Sequence, residues 1–383
     1  MTAHKPNIAV LGGGHGAFAT AAHMALNGFS VNLFEAPDFG ETIAQVQLHG
    51  GIEFRHEGIT SLPTGFGRLN VVSTDPRLVL SGTDIVWVIV PAFAQKRIAE
   101  LCAPYFTSKQ IVVLAPGNFG GSIEFAQTLR QQGVHHLPSL VEAECMVYAV
   151  RKDGANSVMV TGIKKNLGVA AFPGTETPKL LPALRQCYPD LVGLGSVLET
   201  GLRNVNTVVH APIMVMNAPL LAKGFKFYAE GCSELPGRVI MGIDRERMAV
   251  GSGLGLQLPS LYDIQLRWYA HLGAKGRTLV EVLAANPAYQ GSAAPSTLSH
   301  RYVLEDVPYG MVPLECLGEL VGVATPLTSA IISLASEMLG ADLRKDARDL
   351  RKLGLDKLTP EQVRQFVGQW KGADSAYRPG LTA

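Results

Sequence analysis

The first half of the chain alternates short apolar runs with segments in which apolar residues recur every three or four positions. Runs such as NIAVLGGG (7–14), DIVWVIVPA (84–92) and KQIVVLAPG (109–117) lack the polar alternation of a half-exposed strand. Between them, segments such as GAFATAAHMALNGF have the spacing of a helix. Continuous apolar strands separated by helices predict an α/β domain with a doubly wound parallel sheet, covered by helices on both faces. Further strands are predicted in SVNLFEA, SLVEAECMVYAVR (139–151), NLGVAAFPG (166–174) and DLVGLGSV (190–197).

The pattern changes near residue 198, after which the chain is mostly helical. Long periodic segments such as LPSLYDIQLRWYAHLG and LTSAIISLASEMLG follow one another, punctuated by proline and glycine. A chain of 383 residues is also longer than one core usually serves, since about 150 residues per domain is typical. We therefore predict a sheet domain over residues 1–198 and an all-helical domain over residues 199–383.

The amino-acid composition limits the kinds of molecule that the protein is expected to bind. The formal net charge is +1 and like charges form no block, which disfavours nucleic acid and a membrane tether and favours small molecules. No run of about 18 apolar residues predicts a membrane helix, and a strand so close to the start leaves no room for a signal peptide. The five cysteines are scattered without a CxxC pair, so we expect no metal site, no disulfide framework and a cytoplasmic location.

A glycine-rich turn in LGGGHGAFAT (11–20) is the first motif that carries chemistry. Gly12, Gly14 and Ala17 match G-x-G-x-x-A, with His15 and Gly16 between them. In this motif the first glycine permits a tight turn, the second lets the backbone approach a pyrophosphate, and the small third residue lets helix and strand pack closely. Because the turn follows a strand and opens a helix, it predicts a Rossmann-type dinucleotide-binding domain.

Glu35 ends the next strand, at the position where an acidic side chain accepts hydrogen bonds from the adenosine ribose and repels a 2′-phosphate. NAD(H) is therefore the preferred cofactor. NADP(H) stays open, because a lysine or arginine from elsewhere in the chain could reach the ribose. The alternative is a solvated surface glutamate.

Two further positions follow apolar strands. Pro91 follows VWVIV, and Asn118 lies in PGNFGG (116–121) after IVVLA. Ligands of open parallel sheets collect beyond the carboxyl ends of the strands, so both positions should border the nicotinamide. Asn118 would then bind substrate or cofactor, or else its segment is simply a turn.

His210 stands in the apolar and amide-lined run NVNTVVHAPIMVMNAP (204–219), two residues before Pro212. A lone histidine is more often a packed structural residue than a catalyst. Spacing alone leaves both interpretations open.

A second constellation, HRYVLEDVPYGMVPLECLGELVGVATP (300–326), combines Arg301, Tyr302, Glu305 and Asp306 before an apolar helix. Together with the glycine turn, VEAECMVYAVR, NVNTVVHAPIMVMNA, FKFYAEG and NPAYQG, it resembles the octopine/nopaline, or opine, dehydrogenase family. The resemblance runs over nearly the whole chain and keeps the motifs in order. The helical-domain motifs are specific to the family, whereas many Rossmann enzymes share the others.

The resemblance implies an oxidoreductase acting on CH-NH donors, in which the amine of an amino acid condenses with a 2-oxo acid and NAD(P)H reduces the resulting imine. It assigns His210 as the catalytic histidine, Asp306 as its partner, Arg301 as the ligand of a substrate carboxylate, and Asn118 as a polar residue near the substrate. Their chemistry fits: a guanidinium matches a planar carboxylate, and histidine moves protons near neutral pH. Asp306 could instead cap a helix, and Arg301 could anchor a carboxylate at the domain interface.

Two other functions stay open: a 2-oxo acid or ketopantoate-type reductase that needs no amine, and a catalytically idle NAD-binding module. Apolar helical surfaces are compatible with a homodimer. Among residues without an assigned role, we expect Tyr228, Trp268 and Tyr269 to pack helices, and the charged cluster DRERM (244–248) to lie on the surface. Glu142 is as well explained by a solvated carboxylate as by a role near the cofactor. The sequence does not identify the amino acid or the oxo acid.

Overall fold

The computed structural model describes residues 5–369. Contacts within the chain divide it into two compact units, of which the first contains residues 5–117 and 121–193 and the second contains residues 118–120 and 194–369. The second unit thus begins at Leu194, slightly before the predicted boundary at residue 198. It also takes the three residues from Asn118 to Gly120 out of the first half of the chain.

Within residues 5–369, the first unit contains all of the strands. They are β1 (Ile8–Leu11), β2 (Val31–Phe34), β3 (Gly51–His56), β4 (Gly65–Arg68), β5 (Val71–Ser73), β6 (Ile85–Val88), β7 (Ile111–Leu114), β8 (Ser139–Ala143), β9 (Tyr148–Gly154), β10 (Ser157–Ile163), β11 (Gly168–Phe172) and β12 (Val192–Gly193). Its helices are α1 (His15–Leu26), α2 (Ala44–His49), α3 (Pro76–Leu80), α4 (Ala92–Cys102), α5 (Gly121–Gln131) and α6 (Thr177–Cys187).

An eight-stranded sheet with the order β12-β11-β8-β7-β6-β1-β2-β5 forms the centre of the first unit. All neighbours from β5 to β8 are parallel, which confirms the predicted Rossmann-type sheet. The strand predicted over 166–174 forms as β11, but it runs antiparallel to β8, so its predicted direction was wrong. The connection from β8 to β11 passes through an antiparallel strand pair, β9 and β10, rather than through one crossover helix, and that connection allows the reversal.

A second, four-stranded sheet, β4-β3-β10-β9, was not predicted. The segment 139–151, interpreted as one strand, is divided between the two sheets as β8 and the start of β9. The strands of this smaller sheet mix buried and exposed positions, as β3 does. A search for continuous apolar runs therefore finds the buried central sheet and misses this one.

Register aligns the carboxyl ends of the central strands. Leu11 at the end of β1 lies beside Phe34 of β2 and Val88 of β6, and Val88 lies beside Leu114 of β7. Strands β1, β2 and β6 are buried at every position, and their residues are apolar apart from Asn32 of β2. The glycine turn, Glu35 and the residues after Val88 consequently follow neighbouring strands at one edge of the sheet.

Within the described residues, the second unit is built from helices, as predicted. They are α7 (Val197–Leu202), α8 (Asn206–Met216), α9 (Glu234–Gly253), α10 (Leu261–Tyr269), α11 (Leu279–Ala285), α12 (Arg301–Leu304), α13 (Val312–Val321), α14 (Pro326–Leu339) and α15 (Pro360–Gln369). Helix α8 packs against α9, α12 and α14. Trp268 and Tyr269 are fully buried, in agreement with their predicted packing role. No helix among residues 5–369 is both long and apolar enough to cross a membrane.

The charged cluster 244–248 is not the exposed surface that the sequence predicts. Asp244, Glu246 and Arg247 are buried on α9. The Arg247 guanidinium pairs with Asp244 at 2.7 Å and donates to the carbonyl oxygen of Leu202 at 2.9 Å. Burying a charged group is tolerated where a partner and hydrogen bonds satisfy it, so alternating charges along a helix do not by themselves establish exposure.

Acid should weaken the first unit through His23 on α1. This side chain is buried, its Nδ1 lies 2.6 Å from the Tyr148 hydroxyl, and burial lowers its pKa from 6.5 to about 4. Between those values the unfolded chain binds a proton that the folded chain does not, so stability is complete above pH 6.5 and falls as the pH drops toward 4. At roughly 1.4 kcal/mol per pH unit, the loss from this group reaches about 3 kcal/mol. Urea unfolding at pH 7 and pH 5 measures the part of this loss that falls between those two pH values, about 2 kcal/mol. His23→Gln should lose less stability over the same interval, and an equal loss in both proteins would contradict the assignment.

Candidate active site

The glycine turn gives the first unit an open helix N-terminus. Gly12 has a φ of +129°, and a Cβ there would overlap the carbonyl oxygen of Ile89. Gly14 caps α1 with no side-chain hydrogen bond, and a Cβ added to it would meet no atom within 4 Å. The backbone N–H groups at the start of α1 therefore have space in front of them, which is what a pyrophosphate needs. These residues fit a dinucleotide.

The remaining positions of the motif divide into packing and exposed residues. A Cβ at Gly16 would lie 2.7 Å from the Met146 sulfur, and Ala17 is fully buried, so both positions require small residues. His15 is exposed, and the backbone N–H of Lys152 donates to its Nδ1 at 3.4 Å. Pro91 directly precedes α4, just past the end of β6.

Glu35 is held against the glycine turn rather than solvated. Its carboxylate accepts hydrogen bonds from the backbone N–H groups of Gly13 at 2.5 Å and Ala36 at 2.7 Å. Burial raises the pKa of Glu35, while these two hydrogen bonds and the nearby charge of Lys152 oppose the rise. A carboxylate fixed at the end of β2 beside the turn is placed to accept hydrogen bonds from a ribose diol.

Gly13 is a requirement that the motif analysis missed. A Cβ at this position would lie 2.5 Å from a Glu35 carboxylate oxygen and would also overlap the Thr42 hydroxyl. The signal was present in the unbroken GGG run, because the motif leaves its second position unrestricted while this chain fills it with glycine.

Glu142 also differs from a solvated carboxylate. It is fully buried on β8, and its Oε1 accepts hydrogen bonds from the backbone N–H and the hydroxyl of Ser122, at 2.7 and 2.6 Å. It thereby ties the end of β8 to the first turn of α5.

In the second unit, the structure brings His210 and Asp306 together across 96 residues of sequence. His210 Nδ1 lies 2.7 Å from Asp306 Oδ2, and both side chains are buried. Asp306 makes no helix-cap hydrogen bond with its side chain, so the capping interpretation is not what the structure shows. A carboxylate at this nitrogen fixes the tautomer of the imidazole and stabilises its protonated form.

Aromatic rings surround the histidine. Tyr302 stacks on it with ring centroids 4.0 Å apart, and Phe227 meets it edge to face at 5.7 Å. Its second nitrogen, Nε2, lies 2.9 Å from the hydroxyl of Tyr228. From the sequence, Tyr228 is expected only to pack helices, so this contact is not predicted. The adjoining FYAEG motif drew attention to the segment, but nothing in the sequence pairs it with residue 210.

Arg301 opens α12, and its side chain is about half exposed at 48%. Its Nε lies 3.4 Å from Oε2 of the buried Glu305, one helical turn later. The guanidinium is thus partly held from one side while part of it remains accessible to an anion. The sequence pattern assigns no role to Glu305.

Asn118 lies in this same unit, and the structure shows protein partners for both ends of its amide. Its Nδ2 donates to Glu305 at 3.3 Å, and its Oδ1 accepts from Asn204 at 2.5 Å. Asn118 is buried and adopts a positive φ of 55°. These contacts link Asn118 to Glu305 and thereby to Arg301, and its predicted contact with a ligand stays a prediction. Among the described residues, no cluster of three or more His, Cys, Asp or Glu could hold a metal ion.

Comparison with known proteins gives consistent matches. Residues 193–339 match the family model for the alpha-helical domain of NAD/NADP octopine/nopaline dehydrogenases. The opine dehydrogenase of Arthrobacter sp. (strain 1C) is 34% identical over 94% of this chain and 98% of that protein. That of Haliotis discus hannai is 25% identical over 88% of this chain and 91% of its own length.

Solved structures of the same fold accompany these relatives. Octopine dehydrogenase with NADH and L-arginine has a TM-score of 0.76 at 21% identity, covering 95% of this chain and 98% of its own. Yersinopine dehydrogenase with bound NADP+ has a TM-score of 0.68 at 14% identity, over the same shares of both chains. The match at 34% identity over 94% of this chain, together with the glycine turn and the His210 and Asp306 pair, places this chain in the opine dehydrogenase family.

Proposed function

We propose that this protein is an opine dehydrogenase that joins the amine of an amino acid to a 2-oxo acid and reduces the resulting imine with NAD(P)H, reversibly. The observation that carries the proposal is the second unit's arrangement of a buried histidine and aspartate pair and an accessible arginine. The 2-oxo acid belongs to the class of pyruvate or 2-oxoglutarate.

Arg301 binds the carboxylate of the 2-oxo acid. The guanidinium matches a carboxylate in charge and planarity, and Glu305 and Asn118 support the arginine from within the unit. Binding the anion at one end fixes the orientation of its carbonyl carbon toward the incoming amine.

His210 moves the protons of the condensation. Addition of the amine to the carbonyl carbon forms a carbinolamine, and loss of its hydroxyl as water requires a proton on that oxygen. His210 supplies the proton, while Asp306 holds its Nδ1–H and stabilises the imidazolium from which the proton leaves. Bound NAD(P)H supplies the hydride that reduces the carbon–nitrogen double bond.

The cheapest test separates this function from that of a 2-oxo acid or ketopantoate-type reductase. NADH oxidation is followed with the oxo acid alone, the amino acid alone and the two together, over a panel of amino acids crossed with pyruvate, oxaloacetate and 2-oxoglutarate. Oxidation that requires both partners supports the proposal. Equal rates without the amine support the simple reductase, and NADH binding without turnover of any pair supports an idle binding module.

NAD(H) is the preferred cofactor because of Glu35. Glu35→Gln removes the charge that repels a 2′-phosphate and weakens the acceptor for the ribose diol, so the preference for NADH over NADPH should fall about ten- to hundredfold, as for the loss of one hydrogen bond to a charged group. Fluorescence titration with each cofactor measures the two dissociation constants.

The matched control is Glu57→Gln, which removes the same charge from an exposed position of the same unit. It should leave the preference within about twofold of the wild type, the scatter of an ordinary surface change. An unchanged preference in Glu35→Gln would remove Glu35 from cofactor selection.

We also propose that the enzyme works in the cytoplasm as a homodimer. All five cysteines are thiols rather than disulfides, which suits a reducing compartment. Leu327, Leu334 and Met338 are exposed along α14 at helical spacing, which suits a helix-to-helix contact between two copies. Light scattering on the eluted protein, which gives the mass of one chain or of two, tests the dimer.

A further inference from the structure

Both ring nitrogens of His210 already have partners within the protein. Asp306 lies 2.7 Å from Nδ1, and the Tyr228 hydroxyl lies 2.9 Å from Nε2. Because the carboxylate accepts the Nδ1 proton, Nε2 is the nitrogen that gains and loses a proton during turnover. That nitrogen meets a phenol in this structure, so any proton leaving it has the oxygen of Tyr228 as its first acceptor.

Tyr228 is held firmly in this position. Its side chain is nearly buried, its ring stacks on Tyr289 at 4.0 Å with the planes 16° apart, and it meets Phe227 edge to face at 5.0 Å. Its carbonyl oxygen accepts a hydrogen bond from the backbone N–H of Cys232. To reach Nε2 directly, a substrate would have to displace a ring packed on two sides, which would lose those aromatic contacts.

We infer that Tyr228 is a catalytic residue, the group through which His210 exchanges its proton with the substrate oxygen. The inference rests on the proposed function. A relay of this kind needs no movement of the aromatic ring, only rotation of one hydroxyl hydrogen.

The proton steps balance over the dehydration of the carbinolamine. The imidazolium of His210 gives its Nε2 proton to the Tyr228 oxygen, and Tyr228 gives its own proton to the carbinolamine hydroxyl. The carbon–oxygen bond breaks, water leaves, and the lone pair of the amine nitrogen forms the carbon–nitrogen double bond. One positive charge passes from the imidazolium to the iminium, and Tyr228 is neutral before and after.

The opposite protonation state has an equally clear geometry. When His210 is neutral, Nε2 accepts the hydrogen of the Tyr228 hydroxyl, and the relay runs in reverse: the attacking water gives a proton to the phenol oxygen as the phenol gives its own proton to Nε2. The same chain therefore serves as the base for the reverse reaction, in which water adds to the imine. The directions of the two hydrogen bonds reverse while Asp306, His210 and Tyr228 keep their positions.

Tyr228→Phe tests the relay, because it removes the hydroxyl and keeps the ring and its stacking. We expect kcat for the amine-dependent reaction to fall about hundredfold, the lower range for loss of a positioned acid or base, with the KM for the oxo acid and the affinity for NADH nearly unchanged. The control is Tyr262→Phe, in the same unit, which removes a hydroxyl that donates to the Gly276 carbonyl oxygen, also at 2.9 Å. Its kcat should stay within about twofold of the wild type, as for a change remote from the chemistry.

A double-variant cycle separates a relay from a merely structural role. If Tyr228 and His210 transfer the same proton, Tyr228→Phe should lower kcat almost no further in a His210→Ala background, because the proton relay is already interrupted there. If the two side chains had independent structural roles, the factors by which the two substitutions lower kcat would multiply. A kcat for Tyr228→Phe within about threefold of the wild type, or multiplying losses in the double variant, would overturn the relay.

Failure of the proposed function and failure of the relay give different results. A wild-type protein that never oxidises NADH in an amine-dependent way refutes the proposed function itself, whereas full turnover in Tyr228→Phe refutes only the relay. If Tyr228→Phe fails to fold, the wild type provides the test. The rate of carbinolamine dehydration is measured in single turnovers and plotted against the deuterium content of the solvent. A curved plot shows two protons in motion and supports the relay, and a linear plot shows one and overturns it.

Discussion

His210→Ala is expected to abolish turnover while leaving NADH binding nearly intact. The substitution removes the proton donor of the dehydration step, and general acid–base groups of this kind contribute about 10²- to 10⁴-fold to rate. His210 lies in the helical unit, whereas the glycine turn and Glu35 lie in the sheet unit, so the dissociation constant for NADH should barely change. Steady-state kinetics and a fluorescence titration with NADH measure the two effects.

Two further variants decide how this result is interpreted. His210→Ala also leaves the buried Asp306 carboxylate without its donor, a loss of about 1–3 kcal/mol of stability. His210→Asn restores an N–H group near Nδ1 but cannot titrate, so it should recover stability and not turnover. Replacement of the exposed His271 by alanine is the matched control and should keep normal rates. Near-normal kcat in His210→Asn would remove the histidine from the mechanism.

Arg301→Ala should raise the KM for the 2-oxo acid about hundredfold or more. A bidentate, charge-assisted contact to a carboxylate is lost, and each hydrogen bond to a charged group contributes about 1.5–3 kcal/mol. Arg301→Lys should give a smaller rise, about tenfold, because the ammonium keeps the charge and loses the planar fork. Initial rates at varied oxo acid and saturating amine and NADH measure both constants.

The specificity for a carboxylate provides the control on Arg301. The wild type should strongly prefer a 2-oxo acid to its uncharged amide, and Arg301→Ala should lose most of that preference. Arg238→Ala breaks an exposed ion pair with Glu234 on α9 and should change neither constant by more than about twofold, as is usual for surface pairs. A KM for the oxo acid within threefold of the wild type in Arg301→Ala would assign the carboxylate to another residue.

The sequence predicts well those features of the sheet unit that depend on residues close together in the chain. A continuous apolar run, a glycine turn and an acid at the next strand end all lie within 30 residues, and each restricts the backbone by itself. The smaller sheet and the direction of β11 depend instead on which distant strands pair. The half-exposed residues of β3 are compatible with strand or loop, so only tertiary contacts decide.

At the site in the helical unit, the sequence again does not show which distant residues contact one another. Histidine and aspartate have distinctive chemistry, and the family resemblance already paired residues 210 and 306. Tyrosine is both a packing and a hydrogen-bonding residue, so the sequence could not separate the role of Tyr228 from that of Trp268. Asn118 was expected near a ligand because it follows a strand end, and only the folded chain shows that its amide also contacts Glu305 and Asn204.

Buried charge was the other source of error. Arg247 was expected at the surface and lies in the interior, where Asp244 and the carbonyl oxygen of Leu202 satisfy it. Glu142, for which both a solvated carboxylate and a role near the cofactor had stayed open, is also buried and accepts hydrogen bonds from Ser122. Exposure of a charged residue is a statistical expectation, and satisfaction of its hydrogen bonds is a property of the folded chain. The sequence alone therefore gives the expected exposure of a charged residue, but not whether the folded chain satisfies its hydrogen bonds.

The most direct test of the central claim is the identity of the product formed from an amino acid, a 2-oxo acid and NADH that carries deuterium at its transferable position. We predict one secondary amine that contains both carbon skeletons and carries a single deuterium on the carbon newly joined to nitrogen, detected by mass spectrometry. A deuterated 2-hydroxy acid beside unreacted amino acid would contradict it.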